Sequence, residues 1–210
     1  MHFKQELQQH LESHGETYSK VSQQIQDHFK TYGLSCTLEA SGIENDSQAL
    51  EIYKGKLDPE ACSFRFKPDL TLNFYTSFPV AIDLKGKNQV NYGTQNISYQ
   101  AHEYIIHKQQ YRLAYLCYYT PQDELRFINV KSINYPVINI MPVKGLSRDD
   151  VRANIETLML ANGHDPNHYT PKNECACKGS NYPYLLVPMI RSISLDQFLM
   201  EVVQAGGSSV

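Results

Sequence analysis

Apolar residues in the first thirty positions recur at helical spacing. Tyr18, Val21, Ile25 and Phe29 stand three or four apart, and Gly33 follows as a stop. This predicts one helix from residue 1 to about 31. LSCTLEA, from Leu34, reads as a strand. Residues 41–60 are polar and turn-rich (SGIENDSQ, then KGKLDPE), which predicts a loop or a ragged hairpin. The period then changes to two. In SFRFKPDLTLNFY, Phe64, Phe66, Leu70, Leu72 and Phe74 take one face, and Arg65, Lys67, Asp69, Thr71 and Asn73 take the other. SFPVAIDLKGK continues the alternation after a short turn. Val80, Ile82 and Leu84 share one face; Ala81, Asp83, Lys85 and Lys87 share the opposite one.

Helical spacing returns in NISYQAHEYIIHKQQYR, where Ile97, Ala101, Tyr104 and Ile105 form an apolar stripe. LAYLCYY and LRFINVKSI read as strands, and TPQDE between them is short enough for a hairpin. Ser147 with Asp150 resembles a capping box opening RDDVRANIETLMLANG, which closes near Gly163. A loop of about twenty residues follows, holding His164, His168, Cys175 and Cys177. YLLVPMI reads as a strand, and Ser194 with Gln197 makes a second capping box for SLDQFLMEVVQAG. The pattern predicts an α/β (α+β) chain. Its core spans residues 1–145, a helix–loop–strand–helix extension over 146–205 packs on that core, and 206–210 form a disordered tail.

Composition narrows the class. A chain of 210 residues, 41% hydrophobic, is long enough to bury a sizeable core. No apolar run approaches the length of a membrane span, and MHFKQELQQH has no apolar signal core. The expectation is an intracellular protein, in the cytoplasm or with DNA in a nucleoid or nucleus. Five cysteines at irregular spacing do not suggest a disulfide framework. The net charge of −3 argues against a generic nucleic-acid binder, yet the charge is unevenly placed. Residues 1–60 carry five Lys/Arg against ten Asp/Glu, while residues 61–148 carry ten against five, which suits a phosphate-facing surface.

Asp69, Asp83 and Lys85 fall on the polar faces of two neighbouring strands. Two carboxylates brought together there repel, and one pKa would rise. A divalent cation bridging them removes the conflict, and hard oxygen ligands are what Mg²⁺ prefers. Lys85 points the same way, where its ammonium can hold a water or meet charge developing on a phosphate. The bland alternative is a surface salt bridge on a solvated sheet.

Pro68-Asp69, thirteen residues, then Asp83-Leu84-Lys85 resembles the signature of the PD-(D/E)XK nuclease superfamily. The resemblance implies a restriction-endonuclease-like core: a helix, a three-stranded meander, a helix and a further strand. The element order read over residues 15–119 agrees with it. By this resemblance Asp69 and Asp83 are metal ligands, the Leu84 backbone carbonyl is a third, and Lys85 is the catalytic lysine. Gln100-Ala101-His102-Glu103-Tyr104 matches the QxxxY of the RecB-like branch. There the pair supports the site and touches nucleic acid, roles carried here to Gln100 and Tyr104 as neighbours on one helix face. Many members place a glutamate on the first helix. Glu16 is the candidate, and Glu12 and Asp27 compete with it. Arg65, Lys67 and Lys87 are candidate phosphate contacts.

The resemblance thus implies a Mg²⁺-dependent nuclease acting on DNA, with Mn²⁺ able to substitute and an endonucleolytic mode. A homodimer, or a subunit of a defence, recombination or transposition assembly, goes with it; no membrane partner does. The alternative is the same fold binding nucleic acid or a protein without cutting. His164, His168, Cys175 and Cys177 form a second constellation. Four such ligands suit tetrahedral Zn²⁺, against the alternative of incidental residues in a loop. An iron–sulfur cluster that adds Cys36 or Cys62 to Cys175 and Cys177 is a further alternative.

Overall fold

The computed structural model describes residues 2–41, 67–74, 78–85, 90–91, 95–120, 122–135, 147–174 and 180–207. The first helix, α1, spans His2–Thr31. It ends where Gly33 turns back at φ +69°, and the Leu34 amide caps the Phe29 carbonyl at 3.1 Å. Tyr18, Val21, Ile25 and Phe29 are its buried stripe, as the spacing predicts.

Three strands follow: β1 Cys36–Ala40, β2 Leu70–Phe74 and β3 Val80–Lys85. They form an antiparallel meander. A short hairpin, β4 Val90–Asn91 with β5 Asn96–Gln100, precedes α2 at Ala101–Gln110. The chain then enters β6, Leu113–Tyr119, parallel to β3 with Asp83 opposite Leu116 and Lys85 opposite Tyr118. Strand β7, Leu125–Asn129, returns antiparallel across the short turn. Helix α3 spans Arg148–Ala161, and the Ser147 side chain accepts from the Asp150 amide, the expected cap. Strands β8 Tyr169–Glu174 and β9 Ser180–Pro188 pair with each other, and β10 Ile193–Ser194 leads into α4, Leu195–Gly207. Ser194 and Gln197 exchange backbone bonds at 3.0 and 3.3 Å, a reciprocal capping box.

Among the described residues the strands form two sheets. One runs β1-β2-β3-β6-β7-β10, and the other runs β4-β5-β9-β8. The C-terminal elements are built into both. Strand β10 pairs with β7, and Phe198 of α4 stacks on Phe127 at 4.1 Å and 9°. Helices α1 and α4 cover one face of the six-stranded sheet, over Leu72, Val80, Ile82 and Phe127. The other face, through Ala81, Ala114 and Leu116, packs on Tyr99, Leu185 and Val187 of the second sheet, with Val151, Ile155 and Met159 of α3. Strand β3 is therefore covered on both sides, as parallel central strands usually are.

Two sequence expectations change. The stretch 96–100 is strand and not the opening of a helix, so α2 begins at Ala101. Ladder pairing with β9, from Ile97 opposite Val187 to Gln100 opposite Tyr184, decides this. No local pattern encodes a partner some ninety residues away, and tertiary pairing overrides the weak helical period there. Part of the expected 164–183 loop is strand β8 for the same reason. Beyond Ser41, the loop expected at 41–60 and the residues Phe64 and Phe66 lie outside the described residues.

Candidate active site

Asp69 stands just before β2. The Ser41 amide donates to its carbonyl at 3.0 Å, and the Ser41 hydroxyl donates to the Pro68 carbonyl at 2.7 Å. These bonds hold the Pro-Asp turn against the end of β1. The carboxylate is bound at both oxygens. The Tyr18 hydroxyl donates to Oδ1 at 3.0 Å, and the Leu84 amide donates to Oδ2 at 2.6 Å. The second bond continues the β2–β3 ladder by a side chain, one step beyond the last paired residues, Leu70 and Ile82.

Asp83 and Lys85 lie on the β3 face that carries Ala81, as the alternation predicts. That face is not solvated: Asp83 is 4% exposed and Lys85 8%. The Lys85 ammonium lies 2.5 Å from Asp83 Oδ2 and 3.1 Å from Glu103 Oε2. It also sits 5.2 Å from the centre of the Tyr99 ring. Burial alone would push the lysine toward neutrality. The carboxylates of Asp83, Glu103 and Asp69 outweigh that and hold its pKa far above the ordinary lysine range. Two acids, from β3 and α2, thus contact one buried ammonium, and the charge of Asp69 acts on it from beside β2.

Beneath it lies a second polar pair. The Tyr99 hydroxyl meets His107 Nδ1 at 2.5 Å. Burial, with the charges of Asp83 and Glu103, drives the Tyr99 pKa well upward, so this phenol stays protonated.

Beside Lys85 a groove of about 650 Å³ opens between α1, the carboxyl ends of the parallel strands β3 and β6, and the β6–β7 turn. Carboxyl ends of parallel strands are where open α/β sheets place ligands.

Asp69, Asp83, Leu84 and Lys85 come together as the sequence suggests. The sequence pattern does not single out Glu103, although it stands beside Tyr104 within the QxxxY stretch. Gln100 is the last residue of β5, 2% exposed, and not a helix-face neighbour of Tyr104. Tyr104 is fully buried, donates to the carbonyls of Ile133 at 2.8 Å and Tyr135 at 3.3 Å, and accepts from Lys108 at 2.7 Å. Its place is structural, and a phosphate cannot reach it there. Glu16 is exposed; α1 reaches the acids through Tyr18 instead. Asp27 bonds Gln23 on the exposed side of the same helix. Lys67 is exposed beside the Pro-Asp turn, while Arg65 and Lys87 lie outside the described residues.

The second constellation is described only in part, since Cys175, Cys177 and Cys62 lie outside the described residues. His168 stacks on Tyr135 at 4.3 Å, and His164 is half-buried past the end of α3. Cys36 on β1 is half-buried, and burial pushes its thiol up to about 11.

Among the described residues no three His, Cys, Asp or Glu side chains are grouped closely enough to cage a metal. Mg²⁺ needs less: one or two carboxylates, waters and a substrate phosphate. The donor set here has that chemistry. Each carboxylate oxygen has two lone pairs, so the bonds to Tyr18, Leu84 and Lys85 leave acceptor capacity on Asp69 and Asp83.

No family model, no curated protein and no solved structure matches the chain. No helix among the described residues is long and apolar enough to cross a membrane.

Proposed function

We propose that the chain is a nuclease of the PD-(D/E)XK kind, cutting DNA phosphodiester bonds endonucleolytically with Mg²⁺, or Mn²⁺ in its place. The observation that carries this reading is Asp83 against the buried ammonium of Lys85 on β3, with Asp69 pinned to the same strand through the Leu84 amide. The order helix, three-stranded meander, helix, parallel strand supports a restriction-endonuclease-like core, into which the β4–β5 hairpin is inserted.

Asp69 and Asp83 would hold the ion, with the Leu84 carbonyl as a further oxygen. When bound, it would supply Lewis-acid polarisation of the phosphate and a more acidic water. The chain's own residues do the rest. Tyr18 and the Leu84 amide fix the orientation of the Asp69 carboxylate. Lys85 remains an ammonium, so it acts as a hydrogen-bond donor and a positive charge, not as a base. It would orient the attacking water and stabilise charge growing on the phosphoryl oxygens. Glu103 would hold that ammonium in place, and burial excludes competing water. A homodimer, or an assembly that supplies targeting, is compatible with a chain of this size.

Cleavage of a mixture of plasmid and labelled single-stranded DNA tests the reading, run with Mg²⁺, Mn²⁺ or EDTA beside Asp83→Ala. Metal-dependent cutting lost in the variant is expected; cutting that survives Asp83→Ala contradicts it. One observation favours a second reading. An ammonium held by Asp83 and Glu103 also suits a structural ion-pair network in a module that binds without cutting. Weak affinity unchanged by Mg²⁺, with no cleavage, is the signature of that module.

A further inference from the structure

We infer that the groove beside Lys85 takes unpaired nucleotides, so that the substrate is single-stranded nucleic acid or a frayed end and not the interior of a duplex. This rests on the nuclease reading above and goes beyond it by naming the substrate class.

The lining carries the inference. Helix α1 contributes Lys20, Gln23 and Gln24 on one wall, and β6 contributes Tyr119 on the other. Leu84 and Lys85 line it from the end of β3. Lys20, Gln23 and Gln24 are exposed and Tyr119 is half-buried, so these groups are accessible from the groove. The Lys20 ammonium suits a phosphate. The amides can donate to and accept from a base edge, and glutamine does so with adenine in two bonds. The Tyr119 ring offers a face on which any base stacks. Asp123, in the turn beyond β6, repels phosphate, so it marks the end of the groove where the uncharged base would lie.

Size points the same way. A groove of about 650 Å³ belongs to the range of about 300–1,000 Å³ that encloses a single small ligand. That is room for one or two nucleotides, not for a double helix. In a paired duplex the base faces on which Tyr119 would stack are already covered by neighbouring bases. An unpaired strand exposes both edges and faces.

The test is fluorescence anisotropy with a labelled single-stranded 20-mer of mixed sequence and the same 20-mer as a blunt duplex. Binding is measured in EDTA for the wild type, Tyr119→Ala and Gln24→Ala, and cleavage is followed in parallel in Mg²⁺. Gln24 is exposed on a helix, where alanine is well tolerated, and thermal melts verify that both variants fold. The expected result is single-strand affinity at least about tenfold above duplex affinity. Tyr119→Ala should lose about tenfold on the single strand, the scale of one base–aromatic stack, with little change on the duplex. Equal or tighter duplex binding, or single-strand binding indifferent to both variants, overturns the inference. Single-strand binding without cleavage keeps the groove assignment and overturns the nuclease reading. Metal-dependent cutting without a single-strand preference does the reverse. Failure to bind either probe, with no cleavage in Mg²⁺, overturns both.

Discussion

The Leu84 amide donates to Asp69 Oδ2 at 2.6 Å, and this bond joins the two halves of the Pro-Asp and Asp-Leu-Lys pattern. It replaces a ladder bond where β2 has ended. Asp69 is thereby fixed against the strand that carries Asp83 and Lys85, fifteen residues away in sequence. The arrangement of the acids follows from this register more than from any contact between the acids themselves.

The first consequence concerns pH. Lys85 has a folded pKa raised above its unfolded value of about 10.4. A group of that kind contributes its stability in full below the unfolded pKa and loses it as pH rises through the folded one. Its contribution is therefore constant across neutral pH and falls only in strong alkali. The pH–rate profile should show no descending limb from Lys85 below about pH 10. A limb near neutrality that disappears in Lys85→Arg contradicts this placement.

Glu103 acts through Lys85 and is a positioning residue. Glu103→Gln removes one of the carboxylates that hold the ammonium, at 3.1 Å, and keeps the shape. The expected outcome is a fall in kcat of about tenfold, within the range for one misplaced charged group, with KM nearly unchanged and partial rescue by Glu103→Asp. Any alkaline limb should also move to lower pH in Glu103→Gln, because an acid that raises the Lys85 pKa is gone. A purely structural residue would leave the profile unmoved.

Tyr104→Phe separates packing from substrate contact. Its hydroxyl bonds the Ile133 carbonyl at 2.8 Å within the core. The variant should lose about 0.5–1.5 kcal/mol of stability, the net worth of one hydrogen bond, since the Lys108 ammonium still bonds the Ile133 carbonyl at 2.5 Å. Nucleic-acid affinity should be unchanged in anisotropy titrations of the folded variant.

Phe198→Ala probes how far the C-terminal helix belongs to the core. The ring stacks on Phe127 at 4.1 Å and meets Tyr115 edge-on at 4.8 Å. Deleting it should cost about 3–5 kcal/mol. Chemical denaturation should shift as one transition, read equally by far-ultraviolet circular dichroism and tyrosine fluorescence. Two separate transitions would mean that α4 unfolds on its own.

Much of this was legible in local pattern. The α1 stripe, the alternation around β2 and β3, and both Ser capping boxes are short-range features, and each falls where the spacing puts it. Asp69, Asp83 and Lys85 were legible because alternation fixes which strand face a residue takes. Gln100 and Tyr104 misled because QxxxY at helical spacing does not reveal that β9 captures residues 96–100 as a strand. Glu103 was missed for a related reason. A charged residue on a short helix reads as solvated until the crossover connection brings that helix over the end of β3. Burial of Lys85 was likewise invisible, since only the second sheet makes the polar face of β3 an interior one.

The most direct measurement is single-turnover cleavage of labelled DNA by the wild type and Lys85→Ala, each in Mg²⁺ and in EDTA. The expected result is cutting by the wild type in Mg²⁺ alone, and a loss of at least about a hundredfold in the variant, the scale of one preorganised charge at a reacting phosphate. Equal rates for the two proteins, or cutting undiminished by EDTA, would contradict it.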